Sequence, residues 1–352
     1  MKKTIVLLLT IILSVSMIWI AAGCQKEAAA TTESQTTVSQ STTTEAAKTT
    51  AAETTTAAEV KSFKIGYSQF WGTNPFLIAM TNGAKKAIEE WKAKNVEVDM
   101  IVTNGGDTDT SKQVADCEDL FAQKVDGLLI FPGDSIVLTE PIKNLYNQNN
   151  IPVVVTDIGL ESGKWISFII TDNTLGGQML GDLVVKNVPK GAKVVTFDHA
   201  PGNTNAQSRR KGFEETAESN GLTVLPAKSL KLSLEDGKKT MEDTLTSTPD
   251  IAAVFMENQV VAQGAASALE AANRQDVKLV AFDIDAISLK LVKEGKIFGL
   301  VAQDPYMIGY EGMNQMLSYL TGGPVKDTIG IEPKLCTKEN AADFDNDPQV
   351  KQ

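Results

Sequence analysis

FKIGYSQFWGTNPF, residues Phe63 to Phe76, sets the reading of the whole chain. Phe63–Ser68 has the length and apolar content of a short buried strand. It runs into a tip that carries Phe70 and Trp71, then Asn74-Pro75. Asn is a favoured helix N-cap, and Pro is tolerated at the first helical position, where its missing N–H would have no partner anyway. A helix follows, because Phe76, Leu77, Met80, Ala84, Ala87, Ile88 and Trp91 recur at helical spacing. The unit is an apolar strand, a polar and aromatic tip, and a helix.

The unit repeats. Further strands are expected at 96–102, 127–131, 152–157, 165–171, 193–198, 223–227, 251–256, 277–283 and 298–303. Helices are expected at 109–124, 136–148, from Asn173, at 204–220, 234–246 and 260–272, briefly after 283, and at 305–320. Short, almost continuously apolar strands separated by helices belong to parallel sheets covered on both faces. There are too many strands for one sheet. The expected fold class is therefore α/β, with two doubly wound parallel-sheet lobes.

Polar residues collect where the strands end. Asn74 follows the first strand, Asp134 follows GLLIF, Asp157 ends IPVVVTD, and Asp198 ends KVVTFD. Asn258 ends AAVFMEN, Asp283 ends KLVAFD, and Gln303 ends FGLVAQ. Open parallel sheets bind ligands at the carboxyl ends of their strands. Any one of these residues could simply cap the next helix. Seven in one chain, two of them behind the near-identical endings VVVTD and LVAFD, point to a shared polar cleft.

Carboxylates accept hydrogen bonds and carboxamides both donate and accept, the mixture that paired sugar hydroxyls need. Phe70, Trp71, Phe76 and Phe282 could cover the apolar face of a sugar ring, or pack in the core. A buried Asp is costly unless paired. Arg209, in NTNAQSRRKGF at a helix start, is the expected partner; the alternative is Arg210, with Arg209 on the surface.

The 352 residues allow two domains. There are 33 Lys+Arg against 44 Asp+Glu, a formal net charge of -11, which argues against nucleic acid as a partner. Lys2 and Lys3 precede an apolar run from Ile5 to Ile20 and then Ala21-Ala22-Gly23-Cys24, the pattern of an export signal over 1–23. The alternative, a retained membrane helix, needs an apolar core of about 20 residues, longer than this one. Small residues before a Cys resemble a bacterial lipobox, which implies cleavage, lipid attachment at Cys24 and anchoring at the outer face of the cell membrane. Residues 24–61 are Thr/Ala-rich and read as a disordered tether, spanning on the order of 30 Å. Cys117 and Cys336 read as unpaired thiols, although a disulfide is permitted outside the cell.

These residues together resemble the type I periplasmic binding proteins of sugar ABC transporters, nearest their ribose-binding branch. The carrying segments are NPF at Asn74–Phe76, IPVVVTD at Ile151–Asp157, TDNTLGG at Thr171–Gly177, Arg209–Phe213, AVFMEN at Ala253–Asn258, AFD at Ala281–Asp283, and Gln303. The resemblance implies an N-terminal lobe of 62–171 with 304–331, a C-terminal lobe of 172–303 with 332–352, and a three-segment hinge that closes on ligand. It implies sugar contacts from Asn74, Phe76, Asp157 and Thr171 in the first lobe. Arg209, Asn258, Asp283 and Gln303 would contact the sugar from the second lobe and hinge, with Phe282 and Leu232 lining the pocket. A monomeric receptor would hand its ligand to an ABC permease and ATPase. Where the ribose branch has Arg, Phe, an aromatic and Asp, this chain has Ile158, Leu77, Leu232 and Gln259. These departures point to a different pentose or hexose, a deoxy sugar or a polyol, with Trp71 as a replacement stacking face.

Other classes fit less well. The chain has one histidine, His199, and no GxSxG, HExxH or phosphate-binding glycine loop, so no catalytic set assembles. The same fold could instead serve a chemoreceptor or sensor kinase. Asp343, Asp345 and Asp347 lack the glycine and distal Glu of a calcium loop and read as a solvated terminus; Asp107 and Asp109 fail the same test. No cofactor or metal is expected.

Overall fold

The computed structural model of the protein describes residues 59–105, 109–198 and 203–351. The export signal, Cys24, the tether up to residue 58, Asp107 and His199 lie outside the described residues. The first strand begins at Lys61, inside the span assigned to the tether.

Strand β1 (Lys61–Gln69) lies between β2 (Val96–Asn104) and β3 (Gly127–Ile130), parallel to both. β4 (Val153–Thr156) and β5 (Ser167–Thr171) extend this sheet beyond β3. Successive residues serve opposite faces, as the strand period of two requires. Leu129 and Val154 pack with Ile65, Tyr67 and the buried side of α1 (Pro75–Lys92). Leu128, Ile130, Val153 and Val155 pack with Cys117 and Leu120 of α2 (Thr110–Ala122). The helix expected over 136–148 is instead a short α3 (Thr139–Pro141) running into a π-helical segment, Ile142–Asn147. Pro141 brings no N–H to this turn, and Gln148 donates to the carbonyl of Lys143 at 3.2 Å, five residues back.

After α4 (Asn173–Val185) the second sheet begins with β6 (Lys193–Asp198). α5 (Thr204–Ser219) leads to β7 (Thr223–Val224) and β8 (Lys228–Ser229), two pieces where one strand was expected. Pro226 between them cannot donate to the ladder. α6 (Leu234–Ser247), β9 (Ile251–Met256), α7 (Gln259–Ala271), β10 (Lys278–Phe282), α8 (Ala286–Lys293) and β11 (Gly299–Ala302) follow. Val254, Met256, Leu279 and Ala281 face one core; Ala253, Phe255, Val280 and Phe282 face the other.

α9 (Pro305–Leu320) then returns to pack on α1, and β12 (Thr328–Ile331) joins β5 in the first sheet. β13 (Lys334–Thr337) crosses back and pairs antiparallel with β11. The first sheet thus runs β12-β5-β4-β3-β1-β2. The second runs β13-β11-β10-β9-β6-β7, with β8 beside β6. The chain passes between the sheets after β5, after β11 and after β12. Cys117 and Cys336 are buried free thiols in the cores of different lobes.

Helices α4 and α5 touch backbone to backbone. A Cβ on Gly177 would lie 2.0 Å from the carbonyl oxygen of Arg209, and one on Gly212 would lie 2.2 Å from that of Thr174. Only backbone lies in the way, so no side chain can move aside. Gly177→Ala is expected to force the helices apart and lower stability by about 2–3 kcal/mol. A urea midpoint equal to that of the wild type would contradict this packing.

Candidate functional site

The carboxyl ends of strands from both sheets surround one cavity of about 500 Å³. That volume lies within the range of small-molecule sites. Of the seven strand-end residues, Asn74, Asp157, Asn258, Asp283 and Gln303 line it. Asp134 does not: its Oδ1 accepts from the N–H of Ile136 and Val137, both at 2.8 Å, and shapes the turn after β3. The side chain of Asp198 lies outside the description. Capping and cavity lining coexist in two cases. Asn74 Oδ1 caps α1 through Phe76 N–H (2.9 Å), and Asn258 Oδ1 caps α7 through Val260 N–H (2.8 Å), so each keeps its NH₂ for other partners.

The two carboxylates sit in matching local structures. Asp157 and Asp283 both have left-handed backbone, with φ of 61° and 67°, a region Asp tolerates better than most residues. Each N–H donates across to the neighbouring strand, Asp157 to Ile169 O (2.7 Å) and Asp283 to Val301 O (2.9 Å). The near-identical strand endings therefore build the same turn in each lobe.

Arg209 ties the second lobe's polar groups together. It is 7% exposed. Its Nε donates to Asn173 Oδ1 (2.7 Å), and its Nη1 to Glu257 O (3.3 Å) and Asp283 Oδ2 (3.5 Å). The guanidinium lies 4.3 Å from the centre of the Phe282 ring, a favourable cation–π placement. Asp283 also accepts from Asn258 Nδ2 (3.0 Å) and Gln303 Nε2 (2.6 Å), and Thr171 Oγ1 donates to Gln303 Oε1 (2.6 Å). Thr171 and Phe282 thus lie behind the cavity wall, orienting Gln303 and supporting Arg209. Arg210 is 3.4 Å from Glu214, one turn along its own helix.

The first lobe supplies rings. Phe70, Trp71, Phe76 and Phe131 line the cavity; Trp71 is 40% exposed at its mouth, and Phe76 and Phe131 stand 6.5 Å apart at 60°. Leu232 is a correction: it is 49% exposed and not among the lining residues, because Leu230 takes the core position of this segment and leaves Leu232 on the surface. The tail is a second correction. Asp343 and Asp345 are exposed as expected, but the terminus that carries them seats Phe344 and Ala341 in the second lobe's core, pairs Asp345 with Lys293, and sends Gln349 to the cavity. Asn203, Asn205, Glu257 and Gln259 also line the cavity. Glu257 and Gln259 flank Asn258 at a strand end, a readable signal; Gln349 had none.

Asp157 faces Arg209 and Asp283 across the gap, and Asn205 Nδ2 reaches over to its backbone carbonyl (3.3 Å). Burial pushes its carboxyl from 3.8 up to about 6; the Arg209 charge pulls it down and the Asp283 charge adds to the rise. Asp157 Oδ1 and Gln259 Oε1 are buried acceptors with no hydrogen-bond partner among the described residues. Among those residues no group of three or more His, Cys, Asp or Glu is placed to hold a metal ion.

An open-sheet, two-lobed body with a polar and aromatic site between its lobes defines a solute-binding class of protein. The chain matches the periplasmic binding protein domain over residues 65–324 and belongs to that family, in its type I form. It is 32% identical over 266 residues to the Ribose import binding protein RbsB of Escherichia coli, covering 76% of this chain and 88% of that protein. With the Ribose import binding protein RbsB of Bacillus subtilis it shares 33% over 279 residues, covering 79% and 88%. It is also similar to the structure of an ABC transporter solute binding protein from Agrobacterium vitis bound with alpha-D-tagatopyranose. That likeness has a TM-score of 0.69 at 26% identity and covers 82% of this chain and 99% of that one.

Proposed function

We propose that the chain is an extracytoplasmic receptor that binds a neutral monosaccharide or polyol between its lobes and delivers it to an ABC importer. It acts as a monomer, anchored by lipid at Cys24 on the outer face of the cell membrane. The observation that carries the reading is a cavity that sets the acceptors of Asp157 and Gln259 beside an aromatic wall on one side and the Arg209 network on the other. Hydroxyl donors would satisfy the acceptors, and the C–H face of a sugar ring would lie against the rings. The two cleft aspartates outnumber Arg209, which disfavours anionic ligands such as sugar phosphates. The relatives and structures named above carry ribose or tagatose in their descriptions. Ile158 and Gln259 stand where the ribose-binding pattern has a cation and a carboxylate, so the favoured ligand is another pentose, hexose or polyol.

A thermal-shift screen over pentoses, hexoses, deoxy sugars and polyols tests this. A true ligand at 100 times its Kd should stabilise the folded protein by about 2.7 kcal/mol. A flat response across the panel, with a shift for an amino acid or a nucleoside, would displace the proposal.

A further inference from the structure

The cavity receives one side chain from beyond the family match, which ends at residue 324. Gln349 is 6% exposed and lines the cavity. The path that brings it there is built. The 3-10 turn Ala341–Phe344 seats two side chains in the second lobe's core, and Val350 packs against the same core. Asp347 Oδ1 accepts from Gln349 N–H (2.8 Å) and from its Nε2 (3.2 Å). The same Nε2 donates to the backbone carbonyl of Gln303 (3.2 Å), whose side chain holds Asp283. Both hydrogen bonds of the Gln349 side chain are therefore made by its nitrogen, which fixes the amide plane. Its Oε1 makes no hydrogen bond among the described residues. Oε1 is not itself fully buried, so a donor in the cavity can reach it.

We propose that Gln349 is a ligand-recognition residue: its Oε1 accepts from one hydroxyl of the bound sugar or polyol, so the C-terminal tail helps select the ligand. This rests on the receptor reading above. Nε2, held by Asp347 and Gln303, aims the oxygen, and the core anchors at Phe344 and Val350 hold the tail. The ligand class is one with a hydroxyl at the Gln303 end of the cavity.

The test is calorimetric titration of the whole chain, Gln349→Ala and Gln349→Met with the strongest ligand of the screen and each of its monodeoxy derivatives. Met keeps the volume and removes both polar atoms. Both variants should bind the parent ligand about tenfold more weakly, the loss of one neutral hydrogen bond. They should match the wild type for the single deoxy derivative that lacks the hydroxyl read by Oε1. If they lose the same factor for the parent and every derivative, Gln349 is only a brace for Gln303 and the proposal fails. Variants equal to the wild type throughout also overturn it. A wild type that binds no member of the panel removes the receptor reading, and this proposal with it.

Discussion

Replacing Arg209 with Met is expected to weaken ligand binding by at least about a hundredfold and to lower the unliganded protein's stability by about 2–4 kcal/mol at neutral pH. The guanidinium is the shared partner of Asn173, the Glu257 carbonyl and Asp283, and it covers Phe282. Met fills much of the space but leaves the buried Asp157 and the partly buried Asp283 facing each other without the intervening charge. Asp157 would climb above its present value, since Arg209 is the one group holding it down. Arg209→Lys keeps the charge and loses the planar fork, so it cannot reach Asn173 and Asp283 together. It should fall between the wild type and Met. Chemical denaturation and calorimetric titration of the three proteins measure both effects. Binding retained by the Met variant would place the ligand elsewhere.

Asp157→Asn should act in opposite directions on stability and on binding. Its carboxyl is raised from 3.8 to about 6, first by burial. Between those values the folded chain holds the proton more tightly than the unfolded chain. The stability this gives is complete below pH 3.8 and is lost as pH rises through 6. At pH 7 the buried charge therefore costs about 3 kcal/mol, which Asn removes. The variant should melt higher than the wild type at pH 7, and its advantage should shrink on acidification and vanish near pH 4. Ligand affinity should run the other way. A hydroxyl donating to ionised Oδ1 favours the carboxylate, so the wild type should bind more weakly as pH drops below about 6. The variant should bind weakly with little pH dependence. Melting curves with and without ligand from about pH 4 to 8 test both halves. A wild-type affinity constant over that range would remove Asp157 from ligand contact.

Much of the fold was legible in the sequence because its strands are buried on both faces. GLLI and VVVT carry no alternation to misread, and their length excludes a helix. Asp157 and Asp283 were legible because each follows such a strand directly. β12 and β13 were not: each has four residues, half-exposed, at a sheet edge, with little apolar signal. Pro141 and Pro226 interrupted elements whose hydrophobic pattern looked continuous. The roles of Thr171 and Phe282 were hidden for a different reason. Strand-end position places a residue near the gap, but only the packing of neighbours decides whether it faces the gap or supports what does. Asp283 has a similar double character, since its oxygens already accept from Asn258, Gln303 and Arg209.

The interleaved connectivity also governs how the protein comes into being. α9 and β12 complete the first sheet, yet they are synthesised only after every strand of the second except β13. On the face that α1 covers in part, the cover over β4 and β5 is completed only by α9, after residue 305. Such distant pairings slow folding, because a long loop must close before any contact rewards it. The amino-terminal lobe therefore cannot finish its packing as a unit until the last tenth of the chain is available to it.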